Sequence, residues 1–168
     1  MKRHGNTANY SILKRGYRKL RLIKPYHGAG ILFWHEDEDK KLSVLLGLRK
    51  YNPQKGMWSI PGGKWEAQDS YDDTMKPNYK AAAARETWEE IRVRVENPEM
   101  LTLLWSMHVP FYHFAVFACR LPEKRAIAPH QELSELKWLP VDSLPEESVG
   151  FVRSQVSALK RATQKGDM

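Results

Sequence analysis

Pro61-Gly62-Gly63-Lys64-Trp65-Glu66, followed downstream by Arg85-Glu86-Thr87-Trp88-Glu89-Glu90, is the part of the chain on which its reading turns. Pro77 and Asn78 open a helix there, Ala81–Ala84 are strong helix formers, and the helix is expected to end near Arg92. On such a helix Glu86 and Glu90 lie one turn apart, with Glu89 beside them. Carboxylates roughly 5–6 Å apart repel by a few tenths of a kcal/mol per exposed pair. A divalent cation relieves that repulsion, and an all-oxygen set of donors suits a hard ion, Mg²⁺ or Mn²⁺.

Working outward from the glycines, Gly28–His35 and Leu42–Arg49 read as two strands joined by the charged turn 36–41, a β-hairpin. Residues 50–56 form a polar loop, and Met57–Ile60 is a short strand that runs into the Pro-Gly-Gly turn. Residues 67–76 are polar and are expected to be a loop carrying Asp69, Asp72 and Asp73. After the acidic helix, Val93–Val95 is a possible strand start. Leu101–His108 and Tyr112–Leu121 are longer apolar segments around the turn Val109-Pro110-Phe111, and Leu136–Leu139 is a short strand. Residues 146–162 are expected to form a helix with Val149, Val152, Val156 and Leu159 on one face. A mixed sheet packed between helices, an α/β (α+β) fold, is the natural architecture.

The chain has 168 residues, 42% of them hydrophobic, which fits one domain with a real core. The organisation read from the sequence is a basic N-terminal extension over 1–25 and a single domain over 26–168. The lone cysteine, Cys119, excludes an intramolecular disulfide and fits a reducing, cytoplasmic setting. No apolar run is long enough to span a bilayer, and no secretory signal is visible. The formal charge is +7, and eight basic residues precede the first acid, Glu36. Such an arm can dock on phosphates, so nucleic acid is a possible partner, although a solvated helix face explains the charge equally simply. No zinc spacing, P-loop or Ser-His-Asp arrangement is recognisable.

The glycine turn and the acidic helix together resemble the box of the Nudix hydrolase superfamily (MutT-like), G-x5-E-x7-R-E-U-x-E-E-x-G-U with U a bulky aliphatic residue. Gly63 takes the first position, Asp69 stands where the first Glu is expected, Arg85-Glu86 matches R-E, Glu89-Glu90 matches E-E, and Val93 matches the last U. Trp58-Ser59-Ile60-Pro61-Gly62-Gly63 and the stretch from Glu135 to Pro145 are similar to the sequences that flank the box in the family. The box is divergent. Its spacer, 70–84, has fifteen residues, and its U and G positions hold Thr87 and Arg92. Lengthening a loop costs only about 0.6 kcal/mol per doubling, so the helix acids need not be disturbed. Without glycine at position 92, the helix is expected to exit by a route other than the left-handed one.

The resemblance implies a Nudix-type α/β/α sandwich and a Mg²⁺- (or Mn²⁺-) dependent hydrolase that cleaves the diphosphate linkage of a nucleoside diphosphate joined to a further group. It places the metal at Glu86, Glu89 and Glu90, with the Gly62 carbonyl as an added ligand. Glu89 either binds metal or takes the proton from water, and Arg85 orients a carboxylate through Glu89 or Asp69. Glu132 is a second candidate base, with Glu135 as its rival. His108, His113 and His130 are titratable near neutrality.

Substrate selectivity lies outside the box. Arg49 could grip phosphate, and Trp58 and Phe111, with Trp65, Trp105 and Tyr112, could stack a base or sugar. A (modified) nucleoside triphosphate ranks first, then ADP-ribose or a nucleotide sugar, then a dinucleoside polyphosphate. A different class is a catalytically inactive Nudix-fold module that binds nucleotide or RNA. The intact helix acids count against it. A monomer and a homodimer are both compatible with the sequence.

Overall fold

The computed structural model describes residues 24–71 and 75–168. The basic extension up to residue 23 lies outside the described residues, as do Asp72 and Asp73.

The central strand, β1 (Tyr26–Glu36), pairs antiparallel with β2 (Leu42–Arg49) and β4 (Gly62–Lys64), and parallel with β6 (Tyr112–Arg120). On one side β2 carries β3 (Trp58–Ser59) and β7 (Leu133–Pro140). On the other, β5 (Thr102–Val109) pairs antiparallel with β6. The result is a mixed seven-stranded sheet. Seven consecutive residues of β1, Gly28–Trp34, are buried, the mark of a strand covered on both faces. Their side chains alternate between two cores. Ala29, Ile31 and Phe33 pack with Ala82, Ala83 and Ile91 of α1 (Tyr79–Ile91). Leu32 and Trp34 pack with Val152, Val156 and Leu159 of α2 (Val152–Lys165). The α/β/α sandwich follows from that period of two.

The β1–β2 hairpin forms as expected, and the turn between β5 and β6 is Pro110-Phe111. Four readings need correction. Gly62-Gly63-Lys64, read as a turn, is itself a strand against Gly28–Gly30. Val93–Val95 is irregular. The second helix begins at Val152 rather than near 146, because residues 147–149 are drawn alongside β3: Trp58 N–H donates to Glu147 O at 2.7 Å and Val149 N–H donates to Trp58 O at 2.8 Å.

The fourth correction concerns the end of α1. Asn78 caps its start, accepting from Ala81 N–H at 3.0 Å. Its exit is the left-handed one after all, with Arg92 at φ 55°, ψ 28° and its N–H donating to Trp88 O at 3.1 Å. A non-glycine residue in that conformation costs roughly 1–2 kcal/mol. The Arg92 guanidinium lies 5.2 Å from the Trp88 ring centroid, a cation–π contact that offsets part of the cost.

Candidate active site

A cleft of about 650 Å³ opens where β4, the last turns of α1, the C-terminal end of β2 and the start of α2 meet. Its floor is the β4 backbone. Gly62 has φ 153°, and a Cβ there would stand 2.5 Å from both Ala29 O and Gly30 Cα. A Cβ on Gly63 would stand 2.5 Å from Glu86 Cδ. The two glycines therefore let α1 lie against bare backbone, and the Glu86 carboxylate occupies the space a side chain would fill.

Glu90 is 2% exposed, and its Oε2 accepts from Gly62 N–H at 2.8 Å. Burial pushes its pKa up to about 8. The Gly62 hydrogen bond pulls the other way, and the Glu86 charge adds to the rise. Burial also raises the pKa of Glu86, against the opposing charge of Arg85. Two neighbouring carboxylates, Glu90 buried with a backbone amide as its polar partner and Glu86 half-buried beside Arg85, leave negative charge undercompensated. Such an arrangement could hold a cation.

Arg85 organises the rest. Its Nε and Nη2 form a fork onto Asp69 Oδ1 and Oδ2, both at 3.0 Å, and Nη2 also donates to Lys64 O at 2.8 Å. Glu86 Oε1 lies 3.1 Å away and Glu89 Oε2 3.3 Å away. Burial opposes the guanidinium charge, but the Asp69 hydrogen bonds and the charges of Glu86 and Asp69 outweigh it and hold the pKa above its usual value. Asp69 is 4% exposed and also accepts from Glu66 N–H at 2.9 Å, closing a short 3₁₀ turn. The long spacer thus loops out between two residues that still meet. Of the two carboxylates suggested for Arg85, Asp69 receives the fork.

As placed, no three Asp, Glu, His or Cys side chains among the described residues converge as a ready metal cluster. Glu86 and Glu90 face β4, while Glu89 is turned to Arg85. Glu132, half exposed, lines the mouth of the cleft and accepts from Arg49 Nη2 at 2.9 Å. Arg49 Nε, also buried, has no hydrogen-bond partner. Glu135 does not line the cleft. It sits on β7 and pairs with Lys137 at 2.7 Å.

Arg49 lines the cleft, whereas Trp58 and Phe111 do not. Trp58 packs against the second core, with Lys137 Nζ 5.5 Å from its ring. Phe111 is 59% exposed at the tip of the β5–β6 turn, with φ 65°. The aromatic lining comes instead from Tyr26, Tyr112, Phe114 and Phe151, of which only Tyr112 had been a candidate. Tyr26 and Tyr112 are register partners across the parallel β1–β6 pair and stack with centroids 5.1 Å apart. Burial, then Tyr112 and the Glu86 charge, push the Tyr26 pKa up to about 12, so its phenol stays protonated. Ser59 and Gln155 also line the cleft and were missed. Gln155 left a trace in the sequence, as a polar residue on the apolar stripe Val152–Val156–Leu159.

Comparison with known proteins agrees with this geometry. A family model described as the NUDIX domain matches residues 25–159. The nucleoside triphosphate pyrophosphatase/Nudix hydrolase fusion protein of Bifidobacterium longum is 27% identical over 126 residues, which span 72% of this chain and 24% of that protein. The chain thus covers about a quarter of that relative's length. Among solved structures, a MutT/nudix family protein from Enterococcus faecalis superposes with TM-score 0.66 at 18% identity, over 84% of this chain and 63% of the other. The NUDIX domain of Shewanella oneidensis NrtR, complexed with ADP ribose, superposes with TM-score 0.61 at 16% identity, over 83% and 88% respectively. At such identities the structures speak for the fold. Among the described residues no helix is long and apolar enough to cross a membrane. With the NUDIX-domain model matching most of its length, the chain belongs to the Nudix family.

Proposed function

We propose that this chain hydrolyses a diphosphate linkage in a nucleoside diphosphate joined to a further group, with a nucleoside triphosphate as first choice, and that it does so with Mg²⁺ or Mn²⁺. One observation carries the reading: half-buried Glu86 and buried Glu90 lie against the β4 backbone at the base of an open cleft, with more carboxylate than cationic charge around them.

The donor set fits a hard divalent cation, since every candidate ligand is an oxygen: the carboxylates of Glu86, Glu90 and, after a turn away from Arg85, Glu89, with the Gly62 carbonyl. When bound, the cation neutralises phosphate oxygens and makes water more acidic. The chain supplies the rest. Arg49, at the rim, carries an unpartnered Nε that can donate to a phosphate oxygen. Arg85 fixes the acidic helix to the Asp69 turn, so that its carboxylates are positioned before substrate arrives. Water attacks one phosphorus, its proton passes to a carboxylate oxygen, and the bridging P–O bond breaks with its electron pair leaving on the departing phosphate. Glu89 and Glu132 are the candidates for that proton. Both line the cleft, and each has one oxygen held by an arginine.

The test is a panel of nucleoside triphosphates, ADP-ribose, nucleotide sugars and dinucleoside polyphosphates, each with Mg²⁺ and with Mn²⁺. The expected result is release of a nucleoside monophosphate from at least one of them, and a loss of at least about a hundredfold in Glu90→Gln. Full activity in that variant would refute the site.

A further inference from the structure

The cleft holds two polar groups that the hydrolytic chemistry does not use. Gln155 is 4% exposed, and its Oε1 has no hydrogen-bond partner. Ser59 is 7% exposed, and its Oγ is likewise unpartnered. They come from different elements, α2 and the short β3, and both line the cleft. Burying an amide or hydroxyl without a partner is destabilising. Two such groups lining one cavity, one from each side of the sheet, point to a ligand that completes them.

The α2 side of the cleft, where Gln155 stands, is aromatic. Phe151, partly exposed, lines the cleft and is backed by Trp105 at a centroid distance of 5.5 Å. Tyr112 and Phe114 line it from β6, with their rings near parallel at 13°. A flat heteroaromatic ring placed among these side chains finds π-faces for its own faces and hydrogen-bonding groups at its edge. The edge chemistry narrows the choice. Gln155 Oε1 needs an N–H donor. Its amide NH₂ and the Ser59 hydroxyl can both donate to a ring nitrogen. Adenine and cytosine both present that pair, an exocyclic amino group beside an unprotonated ring nitrogen, and the broader π-face of the purine suits a lining of several aromatic rings, so adenine is the better match for a bidentate glutamine.

We propose that Gln155 and Ser59 form a base-reading subsite for the adenine of the substrate, with Phe151 and Tyr112 as its stacking surface. This rests on the reading of the cleft as a nucleotide site and names the base it selects. Diphosphate chemistry at Glu86 and Glu90 does not depend on it, so the two can fail separately.

The test separates them by measuring binding without turnover. AMP, GMP, CMP and UMP are titrated into the protein in chelator, with affinities read by NMR shifts. The expected order puts AMP ahead of UMP by about ten- to hundredfold, the discrimination one good bidentate contact provides. Gln155→Leu, close in shape and apolar, removes the buried orphan. The AMP-to-UMP affinity ratio should fall to within about threefold of unity while the melting temperature holds or rises. A purely structural Gln155 would instead lower the melting temperature and leave the ratio where it was. Ser59→Ala provides the second arm, with a partial loss of the ratio. An AMP preference that survives both substitutions, no base preference in the unsubstituted protein, or no binding of any of the four at millimolar concentration would each overturn the subsite. A chain that cleaves pyrophosphates without regard to base would retain the proposed function and lose only this inference.

Discussion

Replacing Glu90 by glutamine tests the electrostatics of the cleft independently of any substrate. The Glu90 carboxyl is buried with its pKa raised to about 8, from an ordinary value of 4.5. Between those two values the folded state holds a proton that the unfolded chain releases. Stability from this group is therefore complete below pH 4.5, falls as pH rises, and is lost above about pH 8. At about 1.36 kcal/mol per unit, the gap sets a ceiling on the order of 5 kcal/mol. Water entering an open cleft reduces the penalty, and about 1–3 kcal/mol is the expected effect. Glutamine stays neutral and keeps an oxygen for Gly62 N–H, which now donates to Glu90 at 2.8 Å. In chelator, Glu90→Gln should therefore melt with the unsubstituted protein near pH 5. At pH 9 it should melt several degrees higher, taking about 2–4 °C per kcal/mol for a chain of this size. Adding Mn²⁺ should reverse the order at pH 9, because only the carboxylate gains a partner. Thermal unfolding at the two pH values, with and without the ion, reads all four numbers. A variant that is less stable than the parent at pH 9 in chelator would refute the account of an undercompensated buried charge.

Three further outcomes follow from particular contacts. Gly63→Ala places a methyl 2.5 Å from Glu86 Cδ, so the carboxylate must move. Hydrolysis should fall at least about a hundredfold, with near-native circular dichroism, and retention of activity would show that Glu86 has no fixed role. Arg92→Gly removes a left-handed non-glycine residue but also a cation–π contact with Trp88. A net gain of up to about 1 kcal/mol in urea unfolding is expected, and a loss of more than that would contradict the strain at φ 55°. His113 lies between His27 and His108 on one rung of β1, β6 and β5, at centroid distances of 4.7 and 3.6 Å. Desolvation, then His108 and His27, lower its pKa, so the unfolded chain binds the proton first and stability should fall as pH drops through 6.5. His113→Gln should flatten the melting temperature between pH 7 and pH 5.5, and an unchanged slope would rule the cluster out as its cause.

Which features could be read from the sequence has a physical explanation. The β1–β2 hairpin was legible because apolar runs bounded by a charged turn are local signals. The acidic face of α1 was legible because helical spacing alone brings Glu86, Glu89 and Glu90 together. The Asp69–Arg85 fork across fifteen intervening residues came only from the family resemblance, since nothing local records which acid an arginine will meet. Strand β4 was not legible. Gly62-Gly63 has no side-chain pattern, and its pairing with Gly28–Gly30 exists because glycines on both strands permit close backbone approach. The aromatic lining was missed for a topological reason. Tyr26 and Tyr112 become neighbours only through the parallel β1–β6 pairing, and periodicity along the chain does not encode which strands adjoin. Phe111 and Trp58 stood out only as aromatic residues outside the box able to stack on a base, but one is at a turn tip and the other supports the α2 core.

The claim on which the functional reading depends is that Glu86 and Glu90, lying over Gly62 and Gly63, hold a divalent cation. Anomalous diffraction from a crystal soaked in Mn²⁺ tests it directly. The account predicts a strong peak between the Gly62 carbonyl and the two carboxylates, absent in Glu90→Gln crystals treated the same way. A protein that turns over nucleotide in the same Mn²⁺ buffer while showing no peak there would contradict it.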